Sequence, residues 1–242
     1  MKVLKQGLLL LTTLLCLASV HAQTADQIIN KHITAMGGKD KLSKLKAIHM
    51  DMSMQMMGND VPSSVTIVEG KGFRSESEVQ GQKIIQVVTD TGGWMLNPMM
   101  GATTPQPIPA EQAKQAAGQI YATGPFYNYA ARGNKVELQG QEKVGDVNAY
   151  KLKVTSGDSS ETTYYMDPTT YYIIEVVRSG EVMGNPITIT VTNSDFQKTP
   201  EGYVVPRTVQ TDMGGQFSLT AKVTKIDINP PVDATLFEMP KQ

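Results

Sequence analysis

The chain has 242 residues, 40% of them hydrophobic and 19% charged, with a formal net charge of −1. That balance excludes a strongly basic nucleic-acid binder and supplies no attraction to an anionic membrane. A single cysteine, Cys16, excludes an internal disulfide framework, so a fold of this length must rest on its core.

Lys2 and Lys5, the apolar run Leu8 to Leu17 and the pattern Val20-His21-Ala22 predict a secretory leader over 1–22, cleaved after Ala22. Cys16 follows Leu15, whereas a lipid-anchoring signal wants a small residue there. Cys16 is therefore expected to leave with the leader, and a chain anchored through Cys16 is the disfavoured alternative. The mature chain, 23–242, has no cysteine nucleophile and a formal charge of about −3. No linker or repeat divides it, so one domain is expected.

Asp26 to Met36 reads as a helix with Ile28, Ile29, Ile33 and Met36 on one stripe, capped by Thr24 or Asp26 and ended by Gly37-Gly38. His32 lies beside that stripe and reads as a histidine at the edge of the core. Lys39 to Leu45 adds a short second helix with Leu42 and Leu45 on its apolar side.

The stretch Ala47–Met57 places Met50, Met52, Met54 and Met56 at alternate positions, with Asp51, Ser53 and Gln55 between them. In a strand this puts four thioethers on one face. Methionine is unbranched and adaptable, which suits an apolar wall that fits varied ligands. The plainer reading is a strand core that happens to use methionine. A third is a soft copper(I) site, since thioethers suit that ion, although His49 points to the other face.

Strands follow at Val65–Glu69, Phe73–Val79, Ile84–Thr89 and Trp94–Leu96, with a hairpin turn at Gly81-Gln82. Asn97 to Pro109 holds four prolines and reads as a loop carrying Met99 and Met100. Glu111 to Ile120 is a helix, with Pro109 near its first turn. This insertion reads either as a lid over one face of the sheet or as a plug for its open side.

The second half alternates again through Val136–Gln139, Tyr150–Val154, Thr162–Met166, Tyr171–Arg178, Ile187–Val191, Tyr203–Thr211 and Gln216–Ile228. Asp167-Pro168-Thr169-Thr170 is a turn. In the last strand Leu219, Ala221 and Val223 face one way, then Ile226 and Ile228 the other, which predicts a one-residue bulge. The sum is a mostly β (α+β) protein: a strongly curved antiparallel sheet, or half-open barrel, of about eleven strands with helices covering the concave face. What the helices leave unfilled is expected to be a cavity.

Catalytic signals are sparse. The mature chain holds only His32 and His49, with no metalloprotease motif, no nucleophile elbow and no phosphate loop. No enzyme, cofactor or metal is expected.

Several stretches together resemble a known family: Ala35-Met36-Gly37-Gly38, Gly93-Trp94-Met95-Leu96-Asn97-Pro98, Asp146 to Leu152, Tyr165-Met166-Asp167-Pro168-Thr169, Gly202-Tyr203-Val204-Val205-Pro206 and Leu236-Phe237-Glu238-Met239-Pro240. With the leader and the strand count, they are similar to periplasmic lipoprotein carriers of the LolA type, and to the outer-membrane lipoprotein-sorting proteins of Bacteroidetes. The resemblance implies a half-barrel around an apolar cavity that shields acyl chains in the periplasm. It implies a monomeric, non-enzymatic carrier of lipoprotein or lipid cargo, with an inner-membrane donor and an outer-membrane acceptor. It also implies an arginine near the cavity mouth that controls opening, for which Arg74 is the candidate. Such a cavity would be lined by Met50, Met52, Met54 and Met56 and covered by Trp94, Met99 and Met100. The competing readings are an envelope interaction module without a cavity, a methionine-rich copper-handling protein, and a hydrolase of unrecognised type.

Overall fold

The computed structural model describes residues 23–56, 59–182 and 185–240. The predicted leader, its cleavage point and Cys16 lie outside the described residues, as does the Met56 side chain.

Thirteen strands of the described residues form one sheet, antiparallel throughout. In chain order they are β1 (Ala47–Met56), β2 (Asn59–Val68), β3 (Gly72–Val79), β4 (Gln82–Thr89), β5 (Gly92–Asn97), β6 (Ala102–Pro107), β7 (Lys135–Val144), β8 (Val147–Thr155), β9 (Glu161–Met166), β10 (Ile173–Val182), β11 (Asn185–Lys198), β12 (Val204–Met213) and β13 (Ser218–Ile228). In space they run from β6 back to β1, then from β13 back to β7. The sheet is curved and unclosed, with β6 and β7 at its two edges.

β6 lies inside the proline-rich stretch whose composition predicts a loop. Proline deletes a ladder donor, but an edge strand has only one neighbour to satisfy, so Pro105 and Pro107 fit there. The bulge expected in the last strand is present. Asp51 pairs with Lys225 and Met52 with Val223, leaving Thr224 as the extra residue. That slip lets Ile226 and Ile228 stay on the same face as Ala221 and Val223.

Three short helices lie on one side, here the inner face. The first, α1 (Ala25–Ala35), starts at a capping box in which Thr24 and Gln27 bond each other's backbone. It buries Ile28 and Ile29 against Leu152, Val154 and Met166. Gly37 follows at φ 129°, where a Cβ would stand 3.0 Å from the Gly202 oxygen. Next, α2 (Lys39–Leu42) sets Leu42 and Leu45 against Ile48 and Tyr203. The connection from β6 to β7 must cross from one edge of the sheet to the other. It does so along the inner face through α3 (Ala110–Ala116), a 3-10 turn at Ala117–Ile120, and Phe126. Ile120 and Ala116 pack on Val88, while Phe126 packs on the far half beside Leu152. Arg132 pins this connection: it bonds Glu69, Thr123 and the Gly124 oxygen and lies 3.7 Å over the Tyr121 ring.

The outer face has its own small core. A 3-10 turn at Ala234–Phe237 packs Phe237 against Ile85, Val87 and Trp94. A Cβ at Gly72 would come within 2.7 Å of the Phe237 ring, so that position needs glycine for the tail to seat. Among the described residues no helix is long and apolar enough to cross a membrane.

Candidate functional site

Strand pairing fixes which residues share the inner face. Ile48 pairs with Ile67 and Ile228, Met50 with Val65 and Ile226, Met52 with Ser63 and Val223, and Met54 with Val61 and Ala221. Across the next strands, Ala221 faces Val209 and Leu219 faces Thr211, which faces Val191, which in turn faces Val176. The methionine ladder therefore belongs to one inner wall, as its spacing predicts. Met56 pairs with Asn59 in the backbone ladder.

The helices cover only one end of this wall. Met50, paired with Ile226, packs against the cluster of Leu42, Leu45, Ile48 and Tyr203. That packing places the Met50 thioether in an apolar cluster. Further along the strands no helix of the described residues packs on the wall. Met52, Met54, Ala221, Leu219, Val209, Val191 and Val176 all remain partly exposed. The result is an apolar trough open to solvent rather than an enclosed cavity. Two shallow depressions, of about 450 and 560 Å³, lie beside α1 at Lys31 and Tyr171 and beside the bulge at Arg207 and Thr224. Neither is lined by Met50, Met52 or Met54.

The open end of the trough carries the exposed large apolar side chains of two turns. The β5–β6 hairpin ends in a 3-10 turn at Pro98–Met100, leaving Met99 and Met100 55% and 65% exposed. Phe217, in the β12–β13 turn at the same end, is 45% exposed. Met99 and Met100 are thus on a rim at the outer edge of the first half, not on a loop folded across Met52 and Met54.

Trp94 and Arg74 are on the other side of the sheet. His49, Thr66, Arg74, Val87 and Trp94 pair in a row on the outer face. Trp94 donates through Nε1 to the Phe237 oxygen at 2.9 Å. Arg74 donates to the Leu236 oxygen at 3.1 Å and to Glu76 at 2.7 Å. Both residues hold the C-terminal turn down, and neither covers the methionine ladder. Phe73 occupies the inner position that strand alternation denies Arg74.

A different arginine does face the trough. Arg178 in β10 pairs with Thr162 and Ile189 and shares its face with Val176. Among the described residues no hydrogen bond or ion pair joins it, and burial lowers its pKa. Its electrostatic neighbour is Tyr164, whose hydroxyl burial pushes up to about 12. The sequence carried one signal for it: Arg178 is in phase with Ile174 and Val176, the apolar positions of the strand's alternation.

No family model matches the sequence, and no curated protein sequence matches it. Solved structures do share its fold. A LolA superfamily protein from Nitrosomonas europaea superposes with a TM-score of 0.58 at 13% identity, covering 89% of this chain and 98% of that one. An outer membrane lipoprotein-sorting protein domain from Vibrio parahaemolyticus gives 0.55 at 12% identity, covering 88% and 95%. A DUF1329 family protein from Desulfovibrio piger gives 0.55 at 12% identity, covering 90% and 98%. The fold is LolA-like.

Proposed function

We propose that this protein is a non-enzymatic carrier in the periplasm that takes the acyl chains of lipids or lipoproteins onto its inner face and moves them towards the outer membrane. The observation that carries this is the trough: a largely apolar wall from Met52 and Met54 to Val176, with Thr211 and Asn193 set into it, left partly exposed by helices that cover only the other end. Full burial of a methylene gains roughly 0.8 kcal/mol, and an open wall that buries each one in part gains less, so a single chain binds and still releases. Methionine at the floor adapts to chains of different shape. The neighbours of LolA type and of lipoprotein-sorting name support the same class of cargo.

The openness of the face also favours a second reading, in which a protein partner rather than a lipid covers it. Native mass spectrometry of protein purified from the envelope, followed by organic extraction, separates the two. A bound lipid or acylated peptide supports the carrier. A protein that is empty and takes up no fluorescent acyl probe supports the interaction module. Met52→Asp puts a carboxylate on the trough and should weaken acyl binding by about tenfold or more. Ser53→Asp, on the outer face, should not. Equal effects would remove the methionine wall from the argument.

A further inference from the structure

Arg178 sits on the inner face among apolar neighbours, and among the described residues no carboxylate pairs with it. Its cross-strand neighbours are Thr162 and Ile189, and Val176 precedes it on the same face. Tyr164, one residue pair further along, faces the same way, its ring edge-on to Phe126 at 5.2 Å. The carboxylates of this region, Glu142 and Glu175, belong to the outer face: Glu175 pairs with Tyr165, whose hydroxyl bonds Glu142. A half-buried guanidinium has lost water without gaining an anion, which favours binding one. The hydroxyls of Thr162 and Tyr164 supply further donors beside it.

We propose that Arg178, with Thr162 and Tyr164, binds the oxyanion headgroup, carboxylate or phosphate, of an acyl ligand whose chain lies along the trough towards Met54. This rests on the carrier reading. Four inter-strand steps of about 4.8 Å separate β10 from β1, roughly 19 Å along the sheet between the charge and the methionines. A ligand so placed keeps its charge at the open end and its chain on Val191, Val209 and Ala221. The guanidinium offers a planar fork that meets either oxyanion bidentately.

The test compares a fluorescent fatty acid with its methyl ester on the mature protein. The acid should bind about tenfold or more tightly than the ester. Arg178→Gln should bring the acid down to the ester's affinity and leave the ester unchanged, and Arg178→Lys should recover part of the preference. Unchanged ester binding is also the proof that the variant is folded. The inference is overturned if the wild type binds acid and ester alike, or if Arg178→Gln weakens both equally. It is overturned too if inorganic phosphate displaces the acid, because the site then reads a free anion and not a headgroup. A wild type that binds neither acid nor ester fails the carrier reading itself, and this inference with it.

Discussion

Nδ1 of His32 lies 2.7 Å from the backbone oxygen of Tyr171, a residue held at φ 59°. A carbonyl only accepts, so Nδ1 carries the proton in this contact. A bulky side chain in the left-handed region costs roughly 1–3 kcal/mol. Here that cost is offset by three contacts on Tyr171: His32 on its oxygen, Lys31 on its hydroxyl at 2.9 Å, and Tyr150 stacked on its ring. The pair ties α1 to the turn that enters β10.

This contact makes stability depend on pH. Burial, opposed by the bond to Tyr171, pushes the His32 pKa from 6.5 down to about 4. The unfolded chain therefore binds the proton first. The contribution of neutral His32 is whole above pH 6.5 and is lost as pH falls towards 4, by up to about 3 kcal/mol. Glu175, whose pKa burial raises, acts in the opposite sense in acid, so the readout is the difference between proteins. Urea midpoints should fall between pH 6.5 and 5 in the wild type and fall less in His32→Gln, which keeps a donor without titrating. Parallel curves would contradict the assignment.

The Trp94–Phe237 clamp can be read directly, because Trp94 is the only tryptophan in the chain. Phe237→Ala should shift its fluorescence to longer wavelength and cost roughly 2 kcal/mol, less than a fully buried phenylalanine would. Gly72→Ala should produce the same spectral shift by forcing the ring off its seat. An unshifted spectrum in both variants would mean that the tail does not shield the indole.

Thr224 separates two effects. Its hydroxyl donates to the Asp51 oxygen at 3.1 Å, and Thr224→Ala should cost about 1 kcal/mol. Deleting Thr224 removes the bulge and turns either Ile226 and Ile228 or Ala221 and Val223 to the wrong face. That deletion should cost more than about 3 kcal/mol in urea unfolding. A deletion as mild as the alanine variant would show that β1 and β13 tolerate a shifted register.

The rim predicts a kinetic effect without a stability effect. Met99→Ser with Met100→Ser should leave the thermal midpoint within the range of about 0.5 kcal/mol, since both side chains are exposed. The same double variant should slow transfer of a fluorescent acyl ligand to lipid vesicles. Equal transfer rates would leave this turn as a plain hairpin end.

Local features were legible in the sequence because their causes are local. The Thr24 cap, the stop at Gly37, the phase of Met50 to Met54 and the slip at Thr224 each depend on residues a few positions apart. Sidedness between strands was not legible. Alternation shows that Arg74 and Phe73 oppose each other, but only register places Arg74 with Trp94 and away from Met52. The tail on Trp94 depends on Phe237, far along the chain, and no spacing announces it. The edge strand β6 was hidden because its prolines forbid a central strand and say nothing against an edge. Arg178 could have been found from parity alone, since it stands in phase with Val176.

The order of strands also decides how the molecule can be assembled. Each strand pair joins chain neighbours except one, β1 with β13, which brings Ile48 to Ile228. Two runs of hairpins, β1 to β6 and β7 to β13, can therefore form from short loops, while the seam between them closes over the whole stretch from Ile48 to Ile228 and carries the largest loop entropy. Until β13 has arrived, β1 presents a bare row of amides and four methionines, which is the pairing surface a second unfinished chain would find. The interval before the seam closes is when the chain is most open to pairing with another copy of itself.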